Sequence, residues 1–151
     1  MIRNMVLRML ADQFDKRVRD VIELKPNWFV EMEEPAKEKD ILHVEDALKC
    51  KLPEQLKHFA RTFGAGYFGS CDISSLVETS EWYILSRPKI FSNGGPFLVV
   101  SDDEAGGFYG YQIDTAIYGD SIVYVHPGDG NYTEVIASSL FEFLDQRALN
   151  I

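Results

Sequence analysis

The N-terminal part of the chain has apolar residues at spacings of three and four, from Ile2 to Ile22, with Arg and Asp residues between them. This spacing places side chains on one face of an α-helix, so it predicts an amphipathic helix of about twenty residues. Acidic and basic residues are mixed on its polar side, which favours packing on its own domain over binding a partner or a membrane surface. Pro26 ends the helix.

Two shorter helices follow. Asp40 is placed to cap a helix that runs to about Lys49, and Pro53 is placed in the first turn of another that Gly64 ends. Residues 64–69 match GxGxxG, but a dinucleotide-binding loop needs a strand before it and a helix after it. Here a helix comes first, so the sequence predicts a glycine-rich corner between a helix and a strand.

Residues 96–114, PFLVVSDDEAGGFYGYQID, carry the most regular strand pattern in the chain. An apolar run enters an acidic triplet, two glycines follow, and an alternating run of aromatic and apolar residues returns. This pattern predicts a β-hairpin, with Gly106 and Gly107 supplying the positive φ that the turn requires.

The remaining segments complete the predicted order of elements. Residues 122–125 and 132–137 indicate strands, and Ser138 or Ser139 caps a final helix. Residues 75–91 fit a helix through Trp82, Ile84 and Leu85 or a strand, and we favour the helix. The fold class is therefore α+β, with N-terminal helices, a central and mainly antiparallel sheet and a C-terminal closing helix, in a single domain over residues 1–151.

Charge is distributed unevenly along the 151 residues. The net charge is −9, and between residues 90 and 146 there are nine acidic residues and no basic one. A negative field of this kind steers basic partners and repels nucleic acid, although a solvated acidic surface that maintains solubility is the simpler alternative. The two cysteines form no CxxC pair, and no segment has the pattern of a membrane span or a secretory leader. We expect a cytoplasmic protein that does not bind membranes.

No pattern of catalytic or metal-binding residues stands out. His43, His58 and His126 are far apart and belong to no zinc motif. The acidic triplet fails as a calcium loop, because the position that needs a bidentate Glu is Ile113. We therefore expect no enzyme, no metal, no cofactor and no small-molecule substrate.

Three segments, taken together, resemble the SUKH superfamily, which includes the yeast cell-wall assembly regulator and many bacterial immunity proteins. They are LPEQLK at residues 52–57, the FLVV to GYQID hairpin at 97–114, and VH to IASSLFEFL at 125–144. The resemblance covers about residues 40–149 and leaves residues 1–25 as an additional N-terminal helix. One departure is Gly64-Ala65-Gly66, where the family often has Asn-Gly-Gly.

The resemblance implies a non-enzymatic module that binds a protein. The expected function is an immunity protein that neutralises a cognate secreted toxin, with a basic nuclease from a neighbouring gene as the expected partner, by stoichiometric occlusion. The alternative is a regulatory or scaffolding module without a toxin partner. A small enzyme or ligand binder that uses the acidic triplet is a third hypothesis, and it requires a deep pocket with convergent polar groups. The predicted partner contacts are acidic and aromatic residues of the C-terminal half: Asp102, Asp103, Glu104, Tyr109, Tyr118, Asp120 and Asp129.

Overall fold

The chain folds into four α-helices and eight β-strands within the part that the computed structural model describes, residues 2–92, 95–113, 119–128 and 133–151. The helices are α1 (Ile2–Leu24), α2 (Glu38–Leu48), α3 (Glu54–Thr62) and α4 (Leu140–Arg147). The strands are β1 (Met32–Glu33), β2 (Ala65–Phe68), β3 (Cys71–Ile73), β4 (Ile90–Ser92), β5 (Gly95–Asp102), β6 (Phe108–Gln112), β7 (Ile122–Val125) and β8 (Thr133–Ala137). Two short 3-10 helices, Pro26–Phe29 and Ile84–Ser86, lie between these elements.

The strands form two antiparallel sheets, and the predicted α+β class is confirmed. The smaller sheet has the order β1-β2-β3, and the larger one has the order β4-β5-β6-β7-β8. The predicted hairpin is the β5–β6 pair, which places β6 at the centre of the larger sheet. The smaller sheet was not predicted, because its strands are only two to four residues long.

One main core joins the helices to the larger sheet. Leu98, Val100 and Tyr111 project from the sheet into this core, where they join buried side chains of all four helices. Their neighbours along the strands, Phe97 and Val99, belong to a second, smaller cluster with Val123 and Val125 of β7. Because successive side chains of a strand point to opposite faces, the two clusters mark the two faces of the sheet.

Helix α1 packs on the domain through its C-terminal half. Phe14 stacks on Phe141 of α4, with ring centroids 4.3 Å apart, and Val18 and Val21 are buried. His58 of α3 lies 2.9 Å from the carboxylate of Asp15. The predicted packing is therefore present in this half, whereas the first two turns of the helix expose large apolar side chains.

The interpretation of residues 75–91 as a helix is wrong. The segment is made of turns, one 3-10 turn at Ile84–Ser86 and the start of β4. The hydroxyl of Ser75 accepts a hydrogen bond from the Val77 amide, and that of Ser80 accepts one from the Trp82 amide, both at 2.9 Å. Serine side chains that bond to nearby backbone in this way stabilise turns in competition with helix.

The helix ends follow local chemistry with one correction. Asp40 does not cap α2, which begins at Glu38; it lies in the first turn, where its carboxylate accepts a hydrogen bond of 2.8 Å from the amide of Lys37. A carboxylate in the first turn still satisfies an amide that the helix leaves unpaired. Ser139 caps α4 as predicted, with its side chain accepting a hydrogen bond from the Glu142 amide.

The glycine-rich segment is a corner between α3 and β2, as the sequence predicts. Gly64 has φ +98°, and a Cβ there would lie 2.1 Å from the carbonyl oxygen of Glu33. Only glycine fits such a close approach of two backbone segments in this conformation. Among the described helices, none is both long enough and apolar enough to cross a bilayer.

Candidate protein-interaction surface

The turn of the β5–β6 hairpin is a loop stabilised by hydrogen bonds to the carboxylates of its first two residues, Asp102 and Asp103. We call residues 102–107 the acidic loop. One carboxylate oxygen of Asp103 accepts hydrogen bonds of 2.8 Å from the amides of Ala105 and Gly107, and its other oxygen accepts one from the Tyr124 hydroxyl. Glu104, between them, has φ 60° and an exposed side chain. The loop therefore holds Glu104 outward in a left-handed conformation that a non-glycine residue rarely adopts.

The hydrogen bonds of Asp103 determine its electrostatics. Burial raises the pKa of this carboxyl group, and the hydrogen bonds from Tyr124, Ala105 and Gly107 more than offset it, so the net pKa is lowered. In the opposite direction, the hydrogen bond to Asp103 is the main cause that raises the pKa of Tyr124 to about 12. Asp103 is therefore ionised and Tyr124 is a neutral donor at neutral pH.

Arg87 anchors the other end of the acidic loop. Its guanidinium donates to Asp102 of β5 at 3.0 Å, to Asp72 of β3 at 2.7 Å and to the Ser74 hydroxyl at 2.9 Å. The Asp72 side chain is 2% exposed, and burial is the main cause that raises its pKa, opposed by the Arg87 charge. Because Asp72 and Asp102 belong to different sheets, this ion-pair cluster joins the two sheets directly beneath the loop.

The acidic loop is connected to two pairs of aromatic side chains. Tyr124, which binds Asp103, lies opposite Tyr109 in the β6–β7 register, with ring centroids 4.9 Å apart. Arg87, which binds Asp102, lies 5.3 Å from the ring centroid of Trp82. The Trp82 ring in turn packs edge-on against Tyr67 of β2 at 5.3 Å.

Both pairs are accessible to a partner. Tyr109 is partly buried, and it also contacts Phe143 of α4 at 5.0 Å and the Arg147 guanidinium at 5.6 Å. Tyr67 is 38% exposed. Partial burial is the main cause that raises the pKa of its hydroxyl, and the negative charge of Glu104 is the second. Exposed tyrosine and tryptophan beside charged groups are the residue types that supply most of the energy in protein interfaces.

The structure brings together part of the predicted contact set. Asp102, Asp103, Glu104 and Tyr109 lie on the acidic loop and the strand that leaves it. Asp120 is exposed, but it lies just before β7, at the end of the β6–β7 pair that is opposite the acidic loop. The five residues of β6 separate the two ends of this pair by roughly 13 Å. Tyr118 and Asp129 lie outside the described residues.

Several residues of this surface were missed by the sequence analysis. Tertiary contacts join them to the acidic loop either directly (Asp72, Arg87 and Tyr124) or through another side chain of the surface (Tyr67, Trp82 and Arg147). A signal existed only for Tyr124, whose position on the next strand of the sheet allows pairing with Tyr109. The others are far from the loop in sequence, and the pattern of their own segments does not indicate which face they occupy.

A cavity of about 620 Å³ lies between the first half of α1 and the open end of the β5–β6 hairpin, away from its turn. Its lining is mixed and includes Leu7, Leu10, Leu98, Tyr111 and Asp120. No histidine is among its described lining residues, and the cavity does not include the acidic loop. In the described parts of the chain, no group of three or more His, Cys, Asp and Glu side chains is arranged to hold a metal ion.

The protein is α+β, and this surface combines fixed carboxylates with half-exposed aromatic rings, residue types that are common in protein interfaces. Residues 35–146 match the model of the SMI1 / KNR4 family (SUKH-1), and the chain belongs to this family. Its members are generally immunity proteins rather than enzymes. A search of curated proteins gives no significant match. The matched range contains the acidic loop and its anchors but not α1.

Proposed function

We propose that this protein is an immunity protein that binds a secreted toxin and neutralises it by covering the toxin's functional surface. The family supports a role of this class. The observation that carries the proposal for this chain is the acidic loop, whose conformation is set by hydrogen bonds within the chain itself. Preorganised charge lowers the entropy that binding costs.

The charge of the surface favours a basic partner. The four carboxylates of Asp72, Asp102, Asp103 and Glu104 outnumber the two guanidiniums of this surface, those of Arg87 and Arg147, which leaves a formal net charge of −2. The surface that a nuclease uses to hold phosphate is normally basic, so an acidic protein surface is complementary to it. A nuclease domain encoded by a neighbouring gene is therefore the proposed partner.

The acidic and aromatic residues of the surface have different roles in the proposed complex. Asp102 and Asp103 already bind groups of their own chain, so their main effect on a partner is to fix the loop and supply long-range field. Glu104 has an exposed side chain, Tyr67 lies within range of its charge, and Tyr109 adds a partly exposed ring on β6. We propose Glu104 as the first direct contact for a basic group of the toxin.

The test compares two charge reversals that change net charge equally. The toxin encoded beside this gene is coexpressed with the wild-type protein, with Glu104→Lys and with Glu23→Lys, whose exposed side chain lies at the end of α1. We expect full protection by the wild type and by Glu23→Lys. Glu104→Lys should protect less, because like charges then meet and its affinity for the toxin is at least about 10-fold weaker. An absence of protection by the wild-type protein would favour the regulatory alternative.

A further inference from the structure

The first half of α1 carries an apolar face that its own domain does not cover. Ile2, Met5, Val6 and Met9, which we call the outer face, follow the spacing i, i+3, i+4, i+7 and are 78%, 63%, 48% and 58% exposed. This spacing is that of a helix that docks its apolar side on a partner. Isolated exposed apolar residues are common, but four in one contiguous face mark an interaction site.

Packing on the domain does not account for this face. Successive residues of an α-helix are about 100° apart, so the outer face is centred roughly 130° around the axis from the side that buries Phe14, Val18 and Val21. Further along α1 the same outer side carries the polar residues Gln13, Lys16 and Asp20. Apart from Leu24 at its last position, the apolar character of this side is thus confined to the first half of the helix, which also lies outside the family match.

We propose that the outer face binds the outer face of a second copy of this chain, with the two α1 helices antiparallel. A two-fold axis between Met5 and Val6 places each Ile2 opposite Met9 of the other copy, and each Met5 opposite Val6. All four apolar side chains are then paired, and the interface is self-complementary, as a two-fold dimer requires.

The charges of the helix fit this register. Asp12 is the first charged residue after Met9 on the same side, so it lies beside the N-terminal end of the second copy's α1. That end has no acidic residue in its own first turn, so no carboxylate of the first turn complements its helix dipole. Arg3 and Arg8 point to different sides of the helix, about 140° apart, so the pairing brings no like charges face to face.

Other occupants fit less well. Arg3 and Arg8 are the only charged residues from position 2 to position 11, which disfavours a basic toxin on this face. Two basic residues are fewer than the clusters of about four to eight by which a helix recognises an anionic membrane. The outer face is much smaller than the roughly 20–30 residues a side of a standard interface, so we expect a weak dimer with a dissociation constant on the order of 100 μM.

The experiment is sedimentation equilibrium of the purified chain from about 10 μM to about 1 mM. The weight-average mass should rise from 17.2 kDa towards twice that value. Met5→Glu should stay at 17.2 kDa throughout, because it buries charge in the pair. Asn4→Glu adds the same charge to the same turn on the opposite side of the helix, so it should still dimerise, only about 2-fold more weakly than the wild type, because its carboxylate lies near Asp12 of the second copy at the helix end.

A second variant tests the register and does not touch the apolar residues. Asp12→Asn should weaken the dimer at least about 2-fold, since it removes a charge from the neighbouring helix end. Circular dichroism of each variant checks that the fold is retained. A wild-type mass that stays at 17.2 kDa at the highest concentration overturns the proposal, as does equal dimerisation of Met5→Glu and Asn4→Glu. Because no toxin is present, the result is independent of the proposed function.

Discussion

Removal of the Arg87 guanidinium should destabilise the whole protein and not only the acidic loop. The substitution Arg87→Met keeps most of the apolar length of the side chain but leaves Asp72 without its cation. Asp72 is 2% exposed, and Arg87 itself is only 10% exposed. Breaking a buried ion pair by removing one partner costs about 3–5 kcal/mol, because the remaining charge is left without water or a counter-ion. Asp102 is 22% exposed, so water compensates it in part.

The expected loss is large on the scale of this protein. Domains of this kind have a free energy of unfolding of about 5–15 kcal/mol, so the variant should lose a substantial fraction of it. The unfolding temperature should fall by roughly 10 °C, since 1 kcal/mol corresponds to about 2–4 °C at this chain length. Urea denaturation followed by circular dichroism measures the free energy of unfolding directly.

The loss should depend on pH in a defined direction. Burial raises the pKa of Asp72 above its unfolded value, and without the opposing Arg87 charge it should rise further. A group with a raised folded pKa favours the folded state at low pH and loses that contribution as the pH rises through the folded pKa. The deficit of Arg87→Met relative to the wild type should therefore be largest at pH 7 and smaller near pH 4.

Two further variants separate this effect from a general loss of positive charge. Lys89→Met removes an exposed cation two residues away and should change stability by less than about 0.5 kcal/mol. The double variant Arg87→Met with Asp72→Asn should recover part of the loss, because no buried charge remains. A deficit below about 1 kcal/mol at pH 7, or one of equal size at pH 4, would refute the assignment of Arg87 as the buried link between the two sheets.

Two more substitutions test the hairpin and its loop. Tyr124→Phe should raise the pKa of Asp103, since it removes a donor to the ionised carboxylate. It should lower the free energy of unfolding by about 1 kcal/mol at pH 7, and this difference from the wild type should disappear as the pH falls through the folded pKa of Asp103. Carboxyl NMR titration, with Tyr109→Phe as the control, measures the pKa of Asp103, and an unchanged titration contradicts the prediction. Gly110→Ala should lower the free energy of unfolding, measured by urea denaturation, by at least about 2–3 kcal/mol, because its Cβ would lie 1.9 Å from the Leu98 carbonyl oxygen of the adjacent strand. Gly119→Ala has open space around its Cβ, so it should lower the free energy of unfolding by only about 1 kcal/mol, from its positive φ alone.

The sequence predicted elements whose pattern is local. The β5–β6 hairpin has the expected order and the Ser139 cap of α4 the expected chemistry, because alternation and capping hydroxyls act over a few residues. The prediction for the hairpin turn is only half correct, since Gly106 has a positive φ but Glu104, and not Gly107, is the second residue with one. Residues 75–91 could not be assigned this way, since Ser75 forms backbone hydrogen bonds with Trp82 and Ile84 that no periodicity reveals. The periodicity of α1 was correct, but it did not show that its first half extends beyond the core.

The candidate surface was predictable only in its acidic part. A run of carboxylates is visible in the sequence, and Asp102, Asp103 and Glu104 indeed share one loop. Their different roles depend on Arg87 and Tyr124, which reach the loop from a turn region and from another strand. Whether a charge faces a partner or an anchor of its own chain is decided by tertiary contacts, so sequence alone treated the three acids as equivalent.

The most direct test of the account is the binding of the purified protein to the toxin encoded beside its gene, measured by stopped-flow association over a range of salt concentrations. We predict a complex with one immunity protein per toxin and an association rate constant that falls steeply as salt rises, because the acidic surface steers a basic partner. No binding, or binding with a rate that salt does not change, would contradict neutralisation through the acidic surface.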